Sequence, residues 1–553
     1  MPLEWPVLSM SDVLAIRSQR DFTRNVSIDQ FSIPGVNLNA VLLQPLNYTS
    51  SVLSNVENIF RWGASRIFVD LYWNWRTNTW QICPFMANSS VNIDFDRNDY
   101  GDGNEVFQEN GHVYECNSTL TFSRFLEDIL LKETIERTDD NLNARLLIVT
   151  LNLREARTVE LLSAHARGDV VDKRAVEVIS ASALSRTMAA TSTMSSEAPN
   201  ATQSIIYGAT SSLGSYVYEI LEQYVYTPPM LRTDRHRVNL TWDDSGSSTN
   251  GWPLVENLVF KDLYRVLFSF GEIEVPSNLY DPSGDSDYIF PSSSIPYQGS
   301  GVIRYETSSA RSVCSVTSNH LVEVNSVSDH PSWLQVYDSS TAPFTEKSMR
   351  AYLECGFSPV LNASMETPDA VLSYLTSSLS HGRWSWEPGQ PTEQGTSNSG
   401  TDGSRDVQRC TTLEPNGWAV RNCYDRYRVA CRVKKASYEW RLSARSVSYY
   451  DAVGECQGNS MFSLPRTAVQ NNVLQTIRNA SVGSNPIWID LNSIAQPNCW
   501  VSGGPGAACP YVNSDRQTVE VVVPTVAAVV VAVLLACMFF LFNHAKSYAD
   551  RIK

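Results

Sequence analysis

Few side chains in this 553-residue chain stand at spacings that suggest chemistry. The most regular set lies in DFDRNDYGDGNE (94–105), where Asp94, Asp96, Asn98, Asp102 and Glu105 take positions 1, 3, 5, 9 and 12 of a calcium-binding loop. Such oxygen ligands suit a hard divalent cation, but the glycine that makes the sharp turn at the sixth position is replaced by Asp99, and no helical pattern flanks the loop. The segment therefore reads as a solvated acidic loop closed by a Cys83–Cys116 bridge, and neither a metal nor another cofactor is expected. Asp70 ends the apolar run SRIFVD and is the carboxylate best placed to bind a metal or substrate. A carboxylate there reads first as the end of a buried strand, satisfied by nearby donors. Only seven histidines occur, so imidazole acid–base chemistry has few seats. No nucleophile–base constellation is visible, and a catalytic role is not expected.

Composition sets the compartment. The chain carries 43 basic against 58 acidic residues, a net charge of −15, and no long basic run. That balance argues against direct nucleic-acid binding, which needs cations against phosphate. Residues 521–542 (VVVPTVAAVVVAVLLACMFFLF) contain no charge, and 22 helical residues span about 33 Å, enough for the hydrocarbon layer of a bilayer. Lys546, Arg551 and Lys553 follow in the 11-residue tail. This places the tail (543–553) in the cytoplasm and the bulk of a single-pass type I protein outside or in a lumen. Asn-X-Ser/Thr triplets at Asn25, Asn47, Asn88, Asn117, Asn200, Asn239, Asn362 and Asn479 all precede the span, and so do ten of the eleven cysteines. Both features suit an oxidising, glycosylating secretory compartment. The opening residues do not read as a signal peptide, because Asp12 breaks the apolar stretch and no basic region precedes it, so a truncated or misannotated start or a poor signal is expected.

The elements that must position these groups alternate between two types. SRIFVDLYW (65–73), ARLLIVTLNL (144–153) and RVLFSFG (265–271) read as buried strands. TFSRFLEDILLKETIER (121–137) and LGSYVYEILEQYV (213–225) carry helical apolar faces, the second stopped by Pro228 and Pro229. Alternation of this kind predicts an α/β layer or TIM-barrel-like fold for residues 1–305. Trp62, Tyr72, Trp73, Trp75 and Trp80 crowd one strand and its turn, and burial against the barrel explains them more simply than sugar stacking.

The order of these elements resembles the phosphatidylinositol-specific phospholipase C barrel. Ser32-Ile33-Pro34-Gly35 matches the loop after that family's first strand, and GASRIFVD (63–70) its second strand. The resemblance implies a phosphodiesterase whose catalytic histidine follows the Pro-Gly loop. Here Val36-Asn37-Leu38-Asn39 stands in its place, and an asparagine does not cycle a proton. A non-catalytic barrel is expected; the alternative is a divergent metal-dependent phosphodiesterase using acidic residues. The pattern DLYWN (70–74), Trp80 and Cys83-Pro84, with Pro34-Gly35-Val36-Asn37-Leu38 upstream and a terminal apolar span, resembles the fungal maintenance of telomere capping protein 6 family. That resemblance implies a single-pass membrane glycoprotein with an indirect part in telomere capping.

Further along, HGRWSWEPGQP (381–391), NGWAVRNC (416–423) and VACR (429–432) resemble a C-type lectin domain over residues 306–434. The resemblance implies nested bridges Cys355–Cys431 and Cys410–Cys423. It also implies a calcium-dependent sugar site, which Gln390-Pro391-Thr392 and Gly417-Trp418-Ala419 keep only in part, so that site is expected to be metal-free. SYYDAVGEC (448–456), WIDLN (488–492) and CWVSGGPGAACPY (499–511) look like a second, incomplete copy in 435–513, followed by a linker (514–520) and the span. The connectivity of Cys314, Cys456, Cys499 and Cys509 stays open. The expected partners are the membrane and a glycan or protein ligand of the ectodomain.

Overall fold

A computed structural model describes residues 3–87, 104–136, 142–159, 212–236, 251–294, 335–392 and 408–511, apart from single positions within them, together with short strands between 241 and 322 and Met538. Six short stretches of chain, far apart in sequence, meet in one parallel sheet. In chain order they are β1 (Gly35–Asn37), β2 (Arg66–Asn74), then β4 (Leu147–Glu155), β5 (Val266–Ile273), β6 (Gln335–Tyr337) and β7 (Ser358–Leu361). Strand β3 (Thr79–Gln81) folds back antiparallel on β2. Across the sheet the order is β5-β4-β2-β1-β7-β6, so the last two strands join the first. This is barrel order, β1-β2-β4-β5 and then β6-β7 back to β1, with the wall open between β5 and β6.

The sequence dictates most of this. RIFVDLYWN is buried along its whole length, as a strand covered on both faces must be. The apolar faces of the 121–137 and 213–225 segments do form helices, Phe122–Phe125 running through a π-helical Leu126–Leu131 into Lys132–Glu136, and Leu213–Leu221. Threonine and serine N-caps at Thr121 and Ser212 start both.

Two expectations need correction. Ser32-Ile33-Pro34-Gly35, expected as the loop after the first strand, instead leads into it, since Gly35 opens β1. Close packing selects its glycine, since a Cβ at Gly35 would stand 2.9 Å from the Phe68 ring. The barrel does not end at residue 305 either, because β6 and β7 lie at 335–361, inside the segment expected to open the lectin-like module. Strands of three and four residues leave little periodic signal, and β7 meets β1 only across more than 300 positions, although closing so long a loop costs little more than closing a short one.

The C-terminal part is a second sheet of six strands: β8 (Gln408–Glu414), β9 (Gly417–Asn422), β10 (Arg428–Val433), β11 (Trp440–Leu442), β12 (Ser460–Phe462) and β13 (Ile487–Asn492). Strand β13 pairs with both β8 and β10, and β12 pairs with β10. Segments 408–433 and 440–492, expected as two modules divided at 434, thus share one sheet. The bridges follow suit. Cys83–Cys116 and Cys410–Cys423 are present as expected, but Cys431 pairs with Cys456 instead of Cys355, and Cys499 pairs with Cys509. Cys355 is itself disulfide-bonded. Register decides the exchange: Cys431 faces Phe462 across the β10–β12 ladder, which brings the start of the following segment alongside.

Helix α1 (Met10–Phe22) joins the two parts. Its Ser18 accepts a hydrogen bond from Trp386 Nε1 at 2.8 Å, and the Phe22 ring packs on Trp384 and Trp418. One apolar core runs through both sheets as a result. Among the described residues no helix is long and apolar enough to cross a membrane. The 521–542 segment lies outside the described residues, Met538 excepted.

Candidate functional site

Parallel strands point their carboxyl ends at one side of the sheet, where loops of barrel folds usually carry chemistry. Here that end is polar, and it is built from asparagines, carboxylates and one arginine. Asp70 stands midway along β2 in a buried position, 5% exposed. Its Oδ1 accepts a hydrogen bond from Asn152 Nδ2 of β4 at 2.7 Å, and its Oδ2 accepts one from Asn39 Nδ2 at 3.0 Å. The Arg154 guanidinium lies 3.3 Å from the same Oδ2 and also meets Glu272 at 2.9 Å and Glu274 beyond β5. Burial pushes the Asp70 carboxyl above its ordinary value against the pull of Asn152 and Arg154.

The stretch that stands where the phospholipase histidine would be is now placed. Asn39 spans the site, donating to Asp70 and accepting from the buried Tyr48 hydroxyl at 2.8 Å, while Asn37 donates to Asn362 Oδ1 at 2.8 Å. On the next strand, Asp338 receives the backbone N–H groups of Phe344, Asn362 and Ala363 and the Tyr374 hydroxyl. Neither His112 nor His381, the two histidines whose side chains are described, reaches this end: one sits on an exposed hairpin and the other faces Glu346. Side chains are tied to one another around Asp70, and Asp338 is tied largely to backbone. The arrangement fixes the ends of the strands relative to one another, and Asp70 spends its lone pairs inside the protein.

Of the calcium-loop set only Glu105 is described, on a β-hairpin strand, where burial raises its pKa; Asp94, Asp96, Asn98 and Asp102 lie outside the described residues. Among the described residues no group of three or more His, Cys, Asp or Glu could hold a metal. In the lectin-like part, Gln390 Oε1 accepts the N–H groups of Thr392 and Val420, and Trp418 is buried with its Nε1 on Asn471. Asp490 of WIDLN accepts from Gly503 and Gly504, anchoring the loop closed by Cys499–Cys509. Of the aromatics, Trp73 and Trp80 bury against each other, ring centroids 5.2 Å apart, and Trp75 is exposed. Among the Asn-X-Ser/Thr sites, Asn25 and Asn479 are exposed and Asn47 and Asn362 half-buried; Asn88, Asn200 and Asn239 lie outside the described residues. Asn117 is buried, and its Oδ1 accepts from the N–H and hydroxyl of Thr119. Sequence reasoning missed Asn152, Arg154 and Asp338; Asn152 and Arg154 lie within β4, Asn152 in register with Asp70, and Asp338 directly follows β6, none of which the sequence pattern marks.

A family model described as the MTC6 partial TIM-barrel domain matches residues 6–381, which takes in all seven strands of the first sheet. The chain belongs to the maintenance of telomere capping protein 6 family. Members of that name are similar over nearly the whole chain: one from Meyerozyma guilliermondii is 29% identical, covering 98% of this chain and 91% of its own. One from Yarrowia lipolytica is 28% identical over 97% and 88%, and one from Debaryomyces hansenii 26% over 99% and 92%. No solved structure matches. The family's partial barrel is the open arc of six parallel strands described above.

Proposed function

We propose that the chain is the glycosylated, membrane-tethered form of this family and that its ectodomain binds a partner instead of turning over a substrate. The observation that carries this reading is the state of Asp70: a carboxylate already met by Asn39, Asn152 and Arg154 has little left to offer a metal or a proton in transit. The asparagines in place of the phospholipase histidine support it. We further infer that the two lectin-like segments are halves of one unit. The shared sheet and the Cys431–Cys456 bridge support that inference, and the unit's outer surface then takes a protein or glycan without calcium. The names of its relatives tie the family to telomere capping, and we propose that this chain shares the role indirectly, from the far side of a membrane.

The test uses the purified full-length chain with phosphodiester substrates, in the presence of Mg²⁺, Mn²⁺ or Ca²⁺, alongside a glycan array read with and without chelator. Chelator-insensitive binding with no turnover supports the proposal. Metal-dependent turnover abolished by Asp70→Asn overturns it and establishes the divergent phosphodiesterase.

A further inference from the structure

The opposite end of the sheet, where the strands begin, holds a cavity of about 560 Å³, within the range of small-molecule sites. Its wall is apolar: Val13 and Ile16 of α1, Ile33 before β1, Trp62 before β2, Leu146 before β4, and Trp384. Into this wall are set five arginines, Arg17, Arg20, Arg61, Arg145 and Arg383, and among the described residues no aspartate or glutamate lines it. Three of them are held from behind, Arg20 by Asp21, Arg145 by Glu133 and Arg383 by Asp12. That backing leaves charge over. The Nε groups of Arg145 and Arg383 are buried without a hydrogen-bond partner, and Arg61 is exposed at the rim. Burial, with Arg20 and Arg61 close by, pushes Arg145 down to about 9 although Glu133 lies against its guanidinium. A cavity used only for packing would not gather like charges on a greasy wall.

Position adds a second argument. The Tyr511 hydroxyl binds both Arg20 and Asp21 at 2.5 Å, so the end of the described ectodomain rests on a residue that lines the cavity. From Tyr511 the apolar segment at 521 is ten residues away, at most about 35 Å of extended chain. We propose that this cavity binds an anionic amphiphile, its acyl chain along the Val13–Ile16–Trp62–Trp384 wall and its phosphate or carboxylate among Arg61, Arg145 and Arg383. Guanidinium forks suit either headgroup, and basic pockets beside membranes take such headgroups. The supply of ligand from a bilayer rests on the membrane reading above; the cavity does not.

The experiment is photolabelling of the full-length chain with diazirine-bearing phosphatidic acid, phosphatidylcholine and free fatty acid of one chain length, mapped by mass spectrometry. In nanodiscs, phosphatidic acid or the fatty acid is expected to label residues 8–17, 33–34 or 379–384 about tenfold more than phosphatidylcholine does. Arg61→Glu, at an exposed position, lowers that labelling about fivefold, and Val13→Trp removes it by filling the cavity, with circular dichroism and the disulfide map unchanged. Whichever anionic probe labels names the source, lipid headgroup or free acid. Equal labelling by phosphatidylcholine, labelling confined to 521–542, or indifference to both substitutions overturns the proposal. The fatty-acid arm repeated in detergent without a bilayer separates failure of the cavity from failure of the membrane reading: labelling that persists there upholds the cavity, and its loss in both settings ends the proposal.

Discussion

Replacing Asp70 by alanine tests what the polar end of the barrel is for. The substitution strands three donors, and they do not lose equally. Asn152 Nδ2 is left buried with no acceptor, and Asn39 loses its donation to Asp70 but keeps its bond from Tyr48 and a 3.3 Å donation to the Tyr72 hydroxyl. Arg154, a quarter exposed, retains Glu272 and Glu274. Two hydrogen bonds to a charged acceptor at about 1.5–3 kcal/mol each give roughly 3–6 kcal/mol. The carboxylate's own burial is unfavourable, as its raised pKa records, and relief of that burial reduces the net cost to about 3 kcal/mol. At about 2 °C per kcal/mol, the low end for large domains, the melting temperature falls by roughly 6 °C. Differential scanning calorimetry on the purified protein reads this, and the Asp70→Ala/Asn152→Ala pair should show a coupling of about 1–2 kcal/mol. A melting temperature within about 1 °C of wild type, joined to lost binding or activity, would refute the reasoning. It would mean that Asp70 is kept for chemistry and not for holding strands.

Three other outcomes follow from the same geometry. Gly271→Ala would place a Cβ 2.2 Å from Asn152 Oδ1, so it should displace that amide, free Asp70 and destabilise by about 1–3 kcal/mol in denaturant titration, whereas Gly284→Ala, with open space around it, should not. Non-reducing peptide mapping should recover Cys431 linked to Cys456, and the double serine variant at those positions should lose about 2–4 kcal/mol on denaturant titration. Asp70, Asp338 and Asp490 all have pKa values raised by burial above the ordinary 3.8, while Asp12 runs the other way. A carboxyl that holds its proton more tightly when folded contributes stability below the unfolded pKa and loses it as pH climbs through the raised one. These three groups should therefore raise the melting temperature as pH is lowered through their raised pKa values towards the ordinary 3.8, whereas Asp12 contributes stability that is lost as pH falls through its lowered one.

Much of the sheet was legible in the sequence because β2, β4 and β5 are covered on both faces and must be written in Val, Ile, Leu and Phe. The helices were legible for the same reason, through faces such as Phe122, Phe125, Leu126 and Ile129. What closes the arc was not: β6 and β7 are too short for a period, and only the fold brings Val360 beside Gly35. Asp70 stood out as a strand-end carboxylate, yet its partners Asn152 and Arg154 come from a neighbour about eighty residues on, and register, not spacing, sets them opposite. Cysteine spacing failed in the same way, since Cys355, Cys431 and Cys456 offer several bridges and the β10–β12 ladder selects one.

The central claim is that this ectodomain matures in an oxidising lumen with its barrel end locked. Alkylation of native, unreduced full-length protein followed by glycosidase treatment and peptide mass spectrometry tests it most directly. We expect Cys83, Cys116, Cys410, Cys423, Cys431, Cys456, Cys499 and Cys509 to resist alkylation, Asn25 and Asn479 to carry glycans, and Asn117 to be bare. Alkylated cysteines at those eight positions, with both exposed asparagines unmodified, would contradict it.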